Sequence, residues 1–168
     1  MYVSQNQPTV APARPDEIDA VADRWVDLAH EQLEHGSHVE AAANRTTIRA
    51  MLAGLLTDEG VLVARDDDEI VGFTTFIVEQ GSLELTVDRG VVTNLYVVPS
   101  HRRRGIATAL LDRAETELEN RGVDVILLDV LAPNDGARQF YRERGYTPHR
   151  LTMSRDCESP AGRADETE

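Results

Sequence analysis

The stretch "VVPSHRRRGIATALL" spans Val97–Leu111 and joins a predicted strand to a predicted helix. It places Arg102, Arg103 and Arg104 immediately before the helix, in a chain whose formal net charge is -13. A helix N-terminus carries about half a positive charge, so each cation there is disfavoured by roughly 0.3–1 kcal/mol. A bound anion would reverse that effect, because the helix end and the arginines would both attract it. The stretch alone therefore fits either an anion-binding loop or a solvated basic turn that offsets nearby carboxylates.

The turn before the helix has the form Arg102-x-x-Gly105-x-Ala107. Gly105 lets the backbone turn tightly and approach a ligand closely. Successive N–H groups then face one point, the helix dipole reinforces them, and Thr108 adds a hydroxyl. The stretch lacks the repeated glycines of a dinucleotide-binding loop and the Gly-Lys-Ser/Thr of a P-loop. Neither a dinucleotide nor a nucleoside triphosphate is therefore expected.

Hydrophobic periodicity predicts helices and strands on either side of this loop. The predicted helices cover 15–34, 39–56, 105–121 and 134–145, and the predicted strands cover 9–13, 61–65, 70–79, 82–90, 91–98, 123–131 and 147–155. This order predicts an α/β (α+β) fold, with a mixed, mostly antiparallel central sheet of about 6–7 strands and helices on both faces. A single domain over 1–168 is expected, with polar tails at about 1–8 and 156–168.

Composition limits the classes of function. The 30 Asp and Glu outnumber 17 basic residues, all of which are arginine, so the negative field argues against nucleic-acid binding. No apolar run approaches the ~20 residues of a membrane span, and the single Cys157 cannot form an internal disulfide, so a cytoplasmic location is expected. The acidic, lysine-free composition resembles that of proteins from salt-loving microbes. The histidines around His30 and His35 lack the four-residue spacing of a zinc helix, and no metal is expected.

Two segments together resemble a known family. "NLYVVPSHRRRGIATALL" (Asn94–Leu111) is similar to the acyl-CoA-binding signature of the GNAT superfamily of N-acetyltransferases. "LLDVLAPNDGARQFYRERGY" (Leu127–Tyr146) resembles the second signature of that family, in the family's order and spacing. The resemblance implies an acyl-CoA N-acyltransferase fold with acetyl-CoA as cosubstrate. It also identifies the anion of the arginine loop as the pyrophosphate of coenzyme A.

The resemblance further implies which residues bind acetyl-CoA. Leu95, Tyr96 and Val97 would hold the pantetheine arm through their backbone groups, and the Val97 N–H would polarise the thioester carbonyl. Asn134 would contact the cosubstrate, cap the following helix, or do both. The pyrophosphate would lie against the backbone N–H groups of Arg103, Arg104, Gly105, Ile106, Ala107 and Thr108. Ala107 occupies a position where many members have glycine and others have alanine.

Two residues are candidates for proton transfer. Tyr141, on the same helical face as Ala137, is the expected acid that protonates the leaving thiolate; the alternative is a core tyrosine with a satisfied hydroxyl. Asp129 precedes it by twelve residues, a spacing similar to that of the ribosomal-protein N-acetyltransferases, which implies a base. Alternatively, Asp129 orders a water or pairs with an arginine. Asn94 lies where other members carry an acid, and it can orient water but cannot act as a base.

The expected function is transfer of the acetyl group of acetyl-CoA to a primary amine. The acceptor would be a protein N-terminus, a lysine side chain or a small amine. The loop between the first two helices and the segment 79–90 would line its site. A noncatalytic acyl-CoA-binding regulatory module on the same fold is the alternative. A monomer or homodimer that binds neither nucleic acid nor membrane is expected.

Overall fold

A computed structural model describes residues 8–80 and 84–157. The chain divides into two compact units, Met1–Asn134 and Asp135–Glu168. The elements of the first unit are β1 (Thr9–Pro12), α1 (Ile18–Leu33), α2 (Arg45–Thr57), β2 (Val61–Asp66), β3 (Glu69–Val78), β4 (Arg89–Val97), α3 (Ile106–Asn120) and β5 (Val125–Leu128). The second unit contains α4 (Asp135–Glu143).

The sheet is mixed and mostly antiparallel, as the sequence predicts. Its strand order is β1-β2-β3-β4-β5. The pairs β1–β2, β2–β3 and β3–β4 are antiparallel, and β5 runs parallel to β4. The described residues form five strands, so the expectation of 6–7 strands is wrong for this part of the chain. The predicted last strand, 147–155, has no regular secondary structure. Its apolar residues Leu151 and Met153 are 76% and 82% exposed, so burial does not stabilise a strand there.

Other predicted boundaries differ by a few residues. The helix predicted over 39–56 begins at Arg45, after a single 3-10 turn at Ala42–Asn44. The strand predicted over 123–131 is restricted to β5. Of the short strand predicted over 82–90, residues 82 and 83 lie outside the described residues, 84–88 are not in a strand, and 89–90 begin β4. The predicted tails lie almost entirely outside the described residues as well.

Helices α1 and α3 cover opposite faces of the sheet. A Cβ at Gly72 of β3 would lie 3.2 Å from Leu110 Cδ1, and one at Gly90 of β4 would lie 2.7 Å from Leu118 Cδ2. These close approaches place α3 against one face, with its first turns at the carboxyl end of β4. The Tyr96 side chain points to the other face, where its hydroxyl contacts Glu31 of α1. The expectation of helices on both faces is therefore confirmed within the first unit.

Helix α1 also supports α2 through ion pairs between their exposed edges. Arg49 Nε lies 2.7 Å from Asp19 Oδ1, and Arg45 Nε lies 2.7 Å from Asp23 Oδ1. The buried stripe of α1 consists of Ile18, Val21, Ala22 and Ala29. Within residues 8–80 and 84–157, none of the helices has the length and apolar character that a bilayer crossing requires.

Candidate active site

The sheet opens between β4 and β5. Their last paired residues are Val92 and Leu128, and β5 ends there. Strand β4 continues to Val97. In the part of the chain that the structure describes, the edge of β4 from Thr93 to Val97 has no strand beside it on the β5 side. An extended ligand can therefore bind along this edge.

The register of β4 decides which backbone groups face the opening. The Val98 N–H donates to the Val71 carbonyl at 2.9 Å, and Tyr96 is paired with Phe73, so these residues bond toward β3. Backbone groups alternate sides along a strand, so the N–H and C=O groups of Leu95 and Val97 point away from β3. Of the backbone groups of 95–97 that were predicted to hold a ligand, those of Leu95 and the Val97 N–H face the opening, whereas the Val97 carbonyl accepts from Arg102 Nε at 2.8 Å.

The loop after β4 presents a second set of N–H groups. Arg103 and Gly105 both have left-handed backbones, with φ of 62° and 81°. The first bond of the α3 ladder runs from the Ala109 N–H to the Gly105 carbonyl at 3.0 Å, so the N–H groups of 105–108 precede the ladder. No atom lies within 4 Å of where a Gly105 Cβ would be, so the space beside this turn is open. The geometry fits a bound phosphate.

The three arginines of this loop do not share one role. Arg102 Nη2 donates to both carboxylate oxygens of Glu31, at 2.8 and 2.7 Å, and Arg102 Nε donates to the Val97 carbonyl at 2.8 Å. Its guanidinium also lies 5.5 Å from the centre of the Tyr96 ring. The Arg102 side chain is thus bound to α1 and β4, and it ties the loop to both.

Of the other two arginines, only Arg104 lies near a carboxylate of a described residue. Arg104 Nη1 lies 3.8 Å from Asp66 Oδ2, which also contacts His101 Nε2 at 3.0 Å. Arg103 is exposed and forms no ion pair with any described residue. A role for an arginine side chain in anion binding is therefore best supported for Arg103.

Tyr96 connects β4 to α1. Its hydroxyl donates to Glu31 Oε1 at 3.2 Å. Burial, together with the neighbouring Glu31 carboxylate, raises the pKa of Tyr96 to about 12. The hydroxyl therefore remains a proton donor to Glu31 throughout the physiological range.

A polar cluster marks the point where β4 departs from β5. The pairing of β3 and β4 shifts by one residue between Thr75 and Phe76, and Thr93 is left as an extra residue opposite Thr75. Asn94 Nδ2 donates to Thr75 Oγ1 at 2.7 Å, and the Thr75 and Thr93 hydroxyl oxygens lie 2.7 Å apart. Thr75 is fully buried, whereas Asn94 is half-buried.

The remaining predicted site residues lie on both sides of the unit boundary. Asp129 follows β5 directly and is exposed. Asn134 immediately precedes α4, is half-buried, and donates its backbone N–H to the Leu131 carbonyl at 2.9 Å. Tyr141 lies on α4 in the second unit, where its ring centre is 5.3 Å from that of Phe140 and 5.8 Å from that of Tyr146. Burial raises the pKa of Tyr141 to about 12.

A groove of about 410 Å³ lies between α1, α2 and the loop that joins them. Its apolar lining comes from Trp25, Val39, Ile48 and Met51, and the Glu40 carboxylate lies among them. This groove coincides with the loop that was expected to line the acceptor site.

Three contacts of the site were not predicted from the sequence. They are the pairing of Glu31 with Arg102 and the support of Asn94 by Thr75 and Thr93. Glu31 is 71 residues from its partner, and no local pattern indicates such a distance. A threonine in β3 and two adjacent polar residues in β4 are the sequence signal for the other two contacts.

Comparison with known proteins gives one family. Residues 22–146 match the family model described as "Acetyltransferase (GNAT) family". N-alpha-acetyltransferase 30 of Schizosaccharomyces pombe is 33% identical over 84 residues, which are 50% of this chain and 55% of that protein. The ribosomal protein bS18-alanine N-acetyltransferase of Escherichia coli is 35% identical over 63 residues, which are 38% of this chain and 43% of that protein. The chain spans about half the length of the curated relatives it matches.

The fold has close counterparts among solved structures. A GCN5-related N-acetyltransferase from Ralstonia eutropha superposes with a TM-score of 0.71 at 25% identity. The superposition covers 90% of this chain and 99% of that one.

Proposed function

Because the chain belongs to the GNAT family of acetyltransferases, we propose that it transfers the acetyl group of acetyl-CoA to a primary amine. The observation that carries this proposal is a pair of backbone sites at one end of the sheet. One is the open edge of β4, and the other is the turn at the start of α3. Two such sites fit a ligand with amides at one end and a pyrophosphate at the other.

Each of the two backbone sites binds its own part of the cosubstrate. The N–H and C=O groups of Leu95 bind a pantetheine amide, much as a neighbouring strand would. The N–H groups of Arg103–Thr108 hold the pyrophosphate, and the Arg103 side chain adds a positive charge. Asn134 is proposed as a further contact with the cosubstrate.

Acetyl-CoA supplies a thioester, whose C–S bond breaks as the amine nitrogen bonds to the carbonyl carbon. The Val97 N–H faces the opening and stabilises the charge on the thioester oxygen. Tyr141 donates the proton that the leaving sulfur needs; its pKa of about 12 keeps the hydroxyl protonated at neutral pH. Asp129, directly or through water, takes the proton that the amine loses.

Two relatives point to the first acceptor to test. Their names are those of an N-alpha-acetyltransferase and of an alanine N-acetyltransferase for a ribosomal protein. A peptide with a free N-terminal amine is therefore the leading candidate, ahead of lysine side chains and small amines. The formal net charge of -13 favours the approach of any cationic acceptor.

The test is a thiol-release assay with acetyl-CoA and three probes. The probes are a short peptide that begins with alanine, an N-terminally blocked peptide with one lysine, and spermidine. Thiol release that requires both acetyl-CoA and one of these amines is the expected result. Binding of acetyl-CoA without thiol release from any probe would instead favour the noncatalytic regulatory module.

A further inference from the structure

We propose that Asn94 binds and orients the acceptor amine through its side-chain carbonyl oxygen, and that Thr75 holds Asn94 in the required orientation. This inference rests on the proposed acetyl transfer and goes beyond it. It names the group that directs the amine nitrogen toward the acyl carbon.

The bulge in β4 brings the polar side chains together. A bulge sets two residues of one strand opposite a single residue of its partner. Here Thr93 and Asn94 both face Thr75 of β3. Without the extra residue, alternation would send one of the two β4 side chains to the opposite face. The bulge therefore builds the cluster on the face that α1 covers.

Hydrogen bonds with the two threonines orient the Asn94 amide. Thr93 Oγ1 lies 3.2 Å from the Thr75 carbonyl oxygen and 2.7 Å from Thr75 Oγ1, and either hydroxyl can be the donor of the second contact. Asn94 turns its NH2 group toward Thr75 Oγ1, which accepts from Nδ2 at 2.7 Å. Its carbonyl oxygen Oδ1 consequently points away from Thr75.

Asn94 Oδ1 is available to a ligand. Within residues 8–80 and 84–157 it accepts no hydrogen bond, although the NH2 group of the same amide is bound. Asn94 adjoins Leu95, whose backbone groups face the opening, and it lies two residues beyond the last β4–β5 pair, Val92–Leu128. Oδ1 therefore belongs to the mouth of the opening, on the α1 face.

An amide oxygen at this point suits an attacking amine. A primary amine has two N–H donors and one lone pair. An acceptor that engages one N–H restricts where the lone pair points, and this alignment accelerates attack on a fixed carbonyl carbon. Because an amide does not take up a proton, the proton must leave by another route. Asn94 and the proposed base therefore have separate tasks.

The test compares four variants with the wild type, using the amine probe that gives the fastest thiol release. Asn94→Leu keeps the size of the side chain but removes the oxygen, whereas Asn94→Asp restores an acceptor oxygen. Thr75→Val removes the hydroxyl that holds the amide. Thr74→Val is the matched control, since Thr74 is equally buried but bonds the Asn94 backbone carbonyl at 2.8 Å.

We expect Asn94→Leu to lower kcat/KM for the amine roughly 10-fold, the order expected for one hydrogen bond. The KM for acetyl-CoA should stay within about twofold. Asn94→Asp should recover part of the loss, because it restores the acceptor oxygen but not the NH2 group that Thr75 holds. Thr75→Val should lower kcat/KM for the amine roughly 3-fold. Thr74→Val should lower the melting temperature as much as Thr75→Val does. It should leave kcat and the KM for the amine unchanged.

The outcomes separate the inference from the function on which it rests. If the wild type releases no thiol with any probe, the proposed function fails and the inference falls with it. If the wild type is active but Asn94→Leu keeps its kcat/KM for the amine, only the inference is overturned. An equal loss for the amine and for acetyl-CoA, without recovery in Asn94→Asp, would also overturn it, because that pattern marks a structural role.

Discussion

Arg103 and Gly105 show how one short loop separates backbone from side-chain recognition. Both residues have a positive φ, but only glycine adopts it without strain, and the Arg103 side chain is free to extend into solvent. The N–H groups of the turn are fixed by the start of α3, whereas the guanidinium is exposed and screened by salt. The backbone is therefore expected to contribute more to phosphate binding than the charge.

Substitution at these two positions tests that ranking. Gly105→Val should weaken acetyl-CoA binding at least 10-fold, because a side chain would fill the open space where the phosphate approaches. Arg103→Ala should weaken it only about 2- to 3-fold, as an exposed charge contributes little. Titration calorimetry at matched salt measures both, and the reverse ranking would show that the site is electrostatic.

A second glycine supplies the control for backbone strain. Gly122 at the end of α3 has φ of 82°, and no atom lies within 4 Å of where its Cβ would be. Gly122→Val should therefore lose stability much as Gly105→Val does, with unchanged affinity for acetyl-CoA. Equal losses of affinity in the two variants would assign the effect to strain.

The Tyr141 hydroxyl is expected to act only as the sulfur leaves. Tyr141→Phe should lower kcat roughly 10²–10⁴-fold while leaving the affinity for acetyl-CoA nearly unchanged. Because its pKa is about 12, the kcat of the wild type should show no loss from deprotonation of Tyr141 up to about pH 10. Tyr146→Phe is the control, since it removes a hydroxyl from the neighbouring ring. Full turnover by Tyr141→Phe would show that the hydroxyl does not protonate the sulfur and that the Tyr141 ring serves only in packing.

At the scale of single residues, the sequence predicts the loop after β4 but not the partners of its side chains. The Arg-x-x-Gly pattern locates Gly105 at the turn, because its spacing relative to strand and helix is local. The pairing of Arg102 with Glu31 depends on how α1 crosses the sheet. Such a contact is set by tertiary packing, which the local sequence does not encode.

At the scale of elements, the entry to α1 depends on one buried ion pair. Glu17 is buried just before α1; Arg65 Nε of β2 lies 2.6 Å from its Oε1, and Arg65 Nη2 donates to the Pro12 carbonyl of β1 at 3.0 Å. Hydrogen bonding from Arg65 holds the pKa of Glu17 below its ordinary value, against the opposing effect of burial. This pair joins three elements at one end of the sheet.

The stability that this pair contributes should depend on pH. A carboxyl whose pKa is lowered by folding stabilises the protein fully above its unfolded pKa, and the contribution is lost as the pH falls through the folded value. Glu17→Gln should therefore lower the free energy of unfolding by roughly 1.5–3 kcal/mol at pH 7, with a smaller difference from wild type below about pH 4. Urea titrations at several pH values measure this.

An exposed pair on the same helix is the control. Asp19 accepts from Arg49 at 2.7 Å, but both side chains are about half exposed. Asp19→Asn should therefore change the stability much less than Glu17→Gln. Similar effects of the two substitutions would mean that burial does not strengthen the Glu17–Arg65 pair.

The sequence predicts helices and strands well where burial imposes a regular spacing of apolar residues, and poorly where it does not. Strand β3, with seven consecutive buried residues, and the buried stripe of α3 gave clear patterns. Residues 147–155 alternate apolar and polar side chains over a short stretch, and this alternation predicted a strand that the structure does not contain. A strand also requires a partner, and alternation within one segment says nothing about that.

At the scale of the whole molecule, unequal strand lengths create the site. Strand β5 has four residues and β4 has nine, so pairing ends while β4 continues for five more residues. Helix α3 then begins at the same end of the sheet. The sequence showed both strands, but the length of β5 was overestimated, so the opening itself was visible only through the family resemblance.

The central claim is that the open edge of β4 and the first turn of α3 bind acetyl-CoA. Amide NMR spectra of the wild type, recorded during titration with acetyl-CoA, test it most directly. We predict saturable shifts at micromolar-range concentrations, as expected for an enzyme substrate. The largest should belong to the N–H groups of Leu95, Val97 and Arg103–Thr108, with Gly122 unaffected. An absence of shifts at millimolar acetyl-CoA, or shifts that cluster away from these amides, would contradict the account.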